Sequence, residues 1–522
     1  MEDRGGQEMN HPVIVYIVVF ALPWTKSQFP KVCTTLDSLR SKECCPIPKG
    51  FSQPCGKDGD RGKCQELDIR KWTIKYSHYQ TFHKDDDRHE WPQALYNRTC
   101  KCNERFGGYD CSRCEFGFNG SNCNLKKPLK RKNFLKLSDD EKDRYMKYVN
   151  MSKHSVSEYV VTTSPYKEII KTVLADRDPK DLFFDISVYD YFIWLHDYAA
   201  RKTIFPLNVT REGVELAHEG QGFLTWHRLF LLVVERTLQE VSNDEEFALP
   251  YWDWTENVTH CDVCNEELLG VTDQVDGIVK GKYLDDWYVI CTPELTNNET
   301  ELCDPTKRKK SLKRSFNDFS MEFPSKSEVR FALRFADYSL PPHSKHSSCN
   351  FVNILEGFAS AKTGYRLPNV HGLHNQVHLV VGGHMANVRS ATNDPIFLLH
   401  HSFVDRILEK WLRRFNKDAN VLSPYDAPIG HNKDDVIVPL FPVYTHQQMF
   451  KNSSEFGYDY DDVDENGKSP DDEKEVKPIS LGDCPVPCPG KESAASESAA
   501  PGMRLCWWLM SSVLMWQLLL AD

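Results

Sequence analysis

The sequence lacks the excess of positive charge that a nucleic-acid partner demands. Lys and Arg number 64 against 75 Asp and Glu, a formal net charge of −11, which argues against a nucleic-acid role. The two local basic runs, KKPLKRK at 126–132 and KRKKSLKR at 307–314, read as solvated loops. No internal repeat is obvious. The longest C-terminal apolar run, Leu505 to Leu520, falls short of the ~20 residues that span a bilayer as a helix. Apolar material itself is plentiful: 40% hydrophobic and 12% aromatic residues in a chain of 522 are ample for a large core.

Cysteine is in excess. Of 18 cysteines, ten fall between Cys33 and Cys123, and that density reads as a disulfide framework in an oxidising compartment rather than as thiols or zinc ligands. The stretch CKCNERFGGYDCSRCEFGFNGSNC at 100–123 has the spacing of an EGF-type module, too short to bury much core without crosslinks. Val13 to Leu22 (VIVYIVVFAL) has the length of a signal-peptide core. Sequons at Asn97, Asn119, Asn150, Asn208, Asn257, Asn298 and Asn452 are glycosylation acceptors on a lumenal surface. Together these features put the chain in the secretory pathway. After Tyr460 the run DYDDVDENGKSPDDEKEVK is acidic and poor in apolar residues, and reads as a disordered stalk. Small residues at 493–495, a polar spacer at 496–504 and the final apolar run match a GPI signal about as well as a short membrane anchor. The expected division is a signal peptide at 1–28, a Cys-rich EGF-like region at 29–125, a catalytic domain at 126–457, an acidic stalk at 458–502 and a hydrophobic anchor or GPI signal at 503–522.

The large domain reads as mainly α. LSDDEKDRYMKYVN (137–150) predicts a helix capped by Ser138 with acids in its first turn. NDPIFLLHHSFVDRILEKWLRRF (393–415) predicts another, capped by Asn393 or Asp394 with Pro395 in its first turn; Phe397, Val404, Leu408 and Leu412 recur at helical spacing. A buried histidine on such a helix is more often hydrogen-bonded core than ligand. Here the histidines have company. His374 and His378, in HGLHNQVH (371–378), stand at i and i+4, where two imidazoles share a face and can bind one ion. His400 and His401 follow on the next helix. Upstream, His196 sits in the apolar helix SVYDYFIWLHDYAARK, His227 points inward from FLTWHRLFLLVVERTLQEV, and His218 falls on the preceding loop.

Two all-imidazole clusters without inward Cys or carboxylate ligands favour copper over calcium or magnesium. Three protein ligands per metal leave positions open, so the centre is reactive rather than structural. Two metals ~4 Å apart can act on one substrate together. Of the adjacent pair, His401 is the expected ligand and His400 its supporting neighbour, since neighbouring helical residues point about 100° apart.

The motifs AHEGQGFLTWHRLFLL, PYWDW (250–254), LEGFAS (355–360), LHNQVH and NDPIFLLHHSFVDRILEKWLRR resemble the copper-binding regions of the vertebrate-type tyrosinase family, the type-3 dicopper proteins. The resemblance runs from about Cys33, with ECCPIPKG and YNRTCKCNERF, to about Tyr460. It implies a four-helix-bundle dicopper domain, copper A on His196, His218 and His227, and copper B on His374, His378 and His401. Dioxygen is the implied cosubstrate. The implied reaction is hydroxylation of monophenols such as L-tyrosine and oxidation of catechols such as L-DOPA to o-quinones, in a membrane-anchored melanosomal protein. Glu356 and Asn375 resemble the pair that handles the phenol proton, Phe358, Met385 and Val388 resemble the walls of the phenol pocket, and Asp405 would orient a ligand or an arginine. The family also holds zinc-bearing relatives, so a dopachrome-tautomerase-like isomerase is one alternative and a dioxygen-binding or scaffold protein without turnover another. His400-His401 with Val404 favours the oxidase branch. Departures from the pattern are Gly382-Gly383-His384, where a glycosylation sequon is common, Ala386, and the lack of a cytosolic tail.

Overall fold

The computed structural model describes residues 28–69, 88, 91–164, 166–202, 215–295, 303–316, 321–470 and 477–479. Residues Met1–Pro478 form one compact unit. A second unit, Ile479–Asp522, includes only Ile479 among the described residues. The signal peptide except Gln28, the sequons at Asn208 and Asn298, most of the stalk and the C-terminal apolar run lie outside the described residues.

Six of the helices among the described residues position the site. Helix α1, Asp139–His154, starts on a capping box in which Ser138 and Glu141 satisfy each other's backbone N–H groups. It runs past the expected Asn150 because Ser152 and Lys153 continue its buried face. The Lys153 ammonium meets the Asp190 carboxylate at 2.5 Å, both 1% exposed, and so ties α1 to α2, Val188–Ala200. Every residue of α2 is buried, as an all-round apolar helix must be. At its C-terminus the Arg88 guanidinium donates to the carbonyls of Ala199 (3.0 Å) and Arg201 (2.7 Å), a cation placed where the helix dipole favours one.

Helix α3, Phe223–Ser242, ends at Asn243 in the left-handed region, φ 53°. Helix α4, Phe351–Glu356, is capped by Asn350 and stopped by Gly357 at φ 107°. Helix α5, Leu373–Val381, stops at Gly382, where a Cβ would come within 2.5 Å of the Ser315 carbonyl oxygen. Helix α6, Ile396–Phe415, corrects the expected start: Pro395 is the N-cap rather than a first-turn residue. Asp394 Oδ1 accepts from the Ile396 N–H, while the Asn393 amide is spent on the Ile290 backbone. Helix α3 packs on α6, α1 and α4, and α5 packs on α4 and α6. No helix among the described residues is long and apolar enough to cross a membrane.

Strands hold the ends of the body. β1 (Gln28–Pro30), β3 (Val156–Thr162) and β4 (Phe183–Ser187) form an antiparallel sheet. β2 (Leu129–Arg131) pairs in parallel with β5 (Tyr458–Tyr460), Arg131 opposite Tyr460. This corrects the expected start of the stalk. The first residues of that segment are packed: Tyr458 and Tyr460 are fully buried, and Asp459 and Asp462 pair with Arg413 and Arg406 of α6. Their acidity supplies counter-ions rather than solvation.

The basic runs are likewise not simply solvated. Arg131 and Arg314 are fully buried. Arg131 donates to Glu235 at 2.9 Å; Arg314 forks onto Asp394 at 2.6 and 2.8 Å, the planar geometry a guanidinium offers a carboxylate.

The cysteine-rich region is crosslinked throughout: Cys33–Cys44, Cys45–Cys64, Cys55–Cys100, Cys102–Cys111 and Cys114–Cys123. Cys261–Cys264 and Cys291–Cys303 follow in the body. Cys100, Cys102, Cys111 and Cys114 are thus bonded in disulfides rather than free to hold zinc, in keeping with an oxidising compartment.

Candidate metal centre

Two histidine clusters face each other between α2, α3, α5 and α6. In the first, one ligand atom each of His196, His218 and His227 lies within 4.8 Å of the others. His196 comes from α2 and His227 from α3; His218 comes from the loop just before α3. In the second, His374 and His378 of α5 join both His400 and His401 of α6 within the same limit. The clusters adjoin: the His227 and His401 rings stack with centroids 4.2 Å apart. Phe397 packs on His401 at 4.0 Å and on His196 at 5.0 Å; Phe223 packs on His227 and His374.

The ring nitrogens are held in one sense. His227 Nδ1 donates to the Phe223 carbonyl at 2.9 Å, four residues back on its own helix. His378 Nδ1 donates to the Met385 carbonyl at 2.8 Å. His374 Nδ1 faces the Glu356 carbonyl at 3.2 Å and Asn375 Oδ1 at 3.0 Å. His218 Nδ1 faces Glu215 Oε1 at 2.9 Å. A neutral imidazole that donates from Nδ1 keeps its lone pair on Nε2, so these rings turn lone pairs inward. His374 Nε2 stands 3.0 Å from His378 Nε2 and 3.3 Å from His401 Nε2. The His374 and His378 lone pairs, converging at 3.0 Å, repel unless a cation takes them. His227 Nε2, and both ring nitrogens of His196, are buried without a hydrogen bond of normal geometry; the Val388 backbone is the polar group acting on the His196 ring. The donor set fits metal ions.

Electrostatics agree. Burial pushes the His196, His227, His374 and His401 imidazoles well below the usual histidine range, with neighbouring histidines adding to it. His378 is lowered to about 4, again mainly by burial. All are neutral near pH 7, the form that binds metal.

His400 departs from expectation. Its ring is stacked on His374 at 5.1 Å and lies in the same group as His401, so adjacency on a helix did not keep it out. Its chemistry does. The Trp254 indole N–H donates to His400 Nδ1 at 3.1 Å, an indole can only donate, and the His400 proton is therefore on Nε2.

Glu356 is fully buried; its Oε1 accepts from the Glu219 N–H at 2.6 Å and its Oε2 has no partner. Burial pushes its carboxyl well above the usual range, with Glu215 and Glu219 adding to the push and the Glu219 N–H opposing it. The structure brings Glu356 and Asn375 together at His374, through a backbone carbonyl and a side-chain amide. Phe358 is half-buried, Met385 is fully buried and Val388 is exposed at 38%. His384 is pinned by its Nδ1 to the Lys313 N–H at 3.0 Å.

Asp405 does orient an arginine: Arg228 Nε donates to it at 2.6 Å. Residues the sequence reading passed over are Glu215, Trp254, Arg131, Arg228 and His431. Glu215 stands three residues before His218, a spacing that could have drawn notice, and Trp254 lies inside the PYWDW motif.

The fold and this centre define a disulfide-bonded, mainly helical protein with paired histidine metal sites. Residues 186–414 match the common central domain of tyrosinase. The chain is 38% identical to tyrosinase of Felis catus over 444 residues, 84% of this chain and 82% of that one. It is 38% identical to tyrosinase of Gallus gallus over 456 residues, 86% and 84% of the two chains. It is 34% identical over 466 residues to 5,6-dihydroxyindole-2-carboxylic acid oxidase of Bos taurus, 86% and 84%. Among solved structures, recombinant mushroom tyrosinase aligns with TM-score 0.38 and 19% identity, covering 65% of this chain and 62% of that one. The chain belongs to the tyrosinase family and is of its vertebrate type.

Proposed function

We propose that the chain is a dicopper phenol oxidase, hydroxylating monophenols such as L-tyrosine to catechols and oxidising catechols such as L-DOPA to o-quinones, the entry to melanin synthesis. The observation that carries this reading is the pair of all-imidazole triads with their rings in contact at His227 and His401, 4.2 Å apart. Three imidazole nitrogens per site suit copper. His196, His218 and His227 hold copper A; His374, His378 and His401 hold copper B. Bound there, two copper ions supply the electron transfer to dioxygen that phenol oxidation needs.

The chain's own groups do the rest. The Nδ1 acceptors fix which nitrogen faces the metal, and Phe223 and Phe397 keep water from the imidazoles. A phenol must shed its proton to bind as phenolate. Glu356 Oε2, the partnerless oxygen, would receive that proton, since metal ions held by the histidines would lower a carboxyl that burial alone raises. Asn375 supports this by its contact with His374. Val388, with Phe358 and Met385, lines the phenol pocket. The reading includes a four-helix bundle of α2, α3, α5 and α6 within 126–457, an EGF-like segment within 29–125, and a membrane-anchored, melanosomal location for a protein that its disulfides assign to the secretory pathway.

The test is quinone formation by the copper-loaded chain from L-tyrosine and from L-DOPA, with Glu356→Gln beside wild type. Wild type should oxidise both, and Glu356→Gln should lose about 10²-fold or more on tyrosine with a smaller loss on DOPA. No quinone from either substrate overturns the function; equal losses overturn the role of Glu356.

A further inference from the structure

Of the six candidate ligands, four have a clear Nδ1 partner, and these partners differ in charge. His227, His378 and His374 face neutral oxygens, the carbonyls of Phe223, Met385 and Glu356 and the Asn375 amide. His218 faces a carboxylate, Glu215 Oε1 at 2.9 Å, with both side chains nearly inaccessible at 8% and 3% exposure.

The carboxylate is itself held. The Ala217 N–H donates to Oε1 at 3.2 Å and the His218 N–H to Oε2. The Glu215 carbonyl accepts from His431 Nε2 at 2.7 Å, and His431 Nδ1 accepts from the Gly222 N–H at 3.2 Å. His431 thus straps both ends of the loop that carries His218. The fit is close: a Cβ on Gly220 or Gly222 would come within 2.9 or 2.8 Å of His431 Nδ1.

A carboxylate accepting from Nδ1–H makes the opposite nitrogen a stronger donor and fixes the ring's orientation. The first triad contains such a pair; each partner identified above for the second is neutral. Resting on the dicopper reading, we propose that Glu215 is a positioning residue for His218, and that its charge makes site A the tighter of the two metal sites.

The test uses the full-length apoprotein and zinc(II), competed against a chromophoric chelator, so that redox turnover plays no part. Wild type should bind two zinc ions, one more tightly than the other. Glu215→Gln keeps an oxygen acceptor of nearly the same shape and removes the charge. It should weaken one site by about 10- to 100-fold, leave the other unchanged, and have no further effect in a His218→Ala background. Unchanged binding by Glu215→Gln overturns the proposal and leaves the dicopper reading intact. A wild type that binds no zinc at these histidines overturns both. A second measurement needs no Glu215 variant. In zinc-loaded wild type, the Nδ1 proton whose signal disappears in His218→Ala should resonate downfield of the other histidine Nδ1 protons. Resonance among them overturns the proposal.

Discussion

His400 and His401 are neighbours with opposite uses, and tautomer separates them. Trp254 donates to His400 Nδ1, which leaves an N–H on Nε2 and no lone pair to give a metal. His401 Nε2 instead converges on His374 Nε2 at 3.3 Å. The expected outcome is that His401→Ala loses one metal per chain while the fold is kept. His400→Ala should keep both metals and lose stability, since it leaves the buried Trp254 N–H unpaired at about 1–3 kcal/mol besides the cavity. Metal content and thermal unfolding of the two variants check this; loss of a metal from His400→Ala would make it a ligand. The sequence separates these roles by angular spacing on the helix. Angular spacing alone does not keep His400 away, and the indole that sets its tautomer lies 146 residues upstream.

At the scale of elements, one carboxylate joins α3, which carries His227, to α6, which carries His401. Asp405, one turn after His401, accepts from Arg228 of α3 at 2.6 Å, from Arg131 of β2 at 3.5 Å, and from the Tyr458 and Tyr460 hydroxyls of β5 at 2.6 Å each. Arg228 follows His227 directly, so this pairing fixes the register of one triad against the other. Asp405→Asn leaves two buried guanidinium groups short of a counter-charge. It should cost about 3–5 kcal/mol, read as a lower unfolding midpoint together with weaker binding of both metals. An unchanged midpoint would show that other carboxylates, such as Glu235 and Glu409, suffice. Helix existence and inward faces were legible from period and caps, because those signals are local. The buried pairs were not: Arg131 meets Asp405 across 274 residues, and in sequence it is one more cation in a basic run. The same distance effect hid β5, whose acidic residues read as solvated until β2 and α6 supply their partners.

For the whole molecule, compartment and family are more legible in the sequence than architecture. Ten cysteines between Cys33 and Cys123 announce disulfides, yet which cysteine meets which depends on chain paths that no spacing dictates, as Cys55–Cys100 across 45 residues illustrates. The histidine positions were legible because a metal centre needs its ligands on a few turns of helix; their supporting oxygens, mostly backbone carbonyls, carry no side-chain signature. In the function proposed above, six of these histidines hold two copper ions that oxidise phenols. The most direct measurement is copper and zinc content of the purified protein alongside oxygen consumption with L-tyrosine and L-DOPA. Two copper ions per chain with oxygen uptake on both substrates is the predicted result. Two zinc ions per chain, and no uptake even after copper loading, would contradict it.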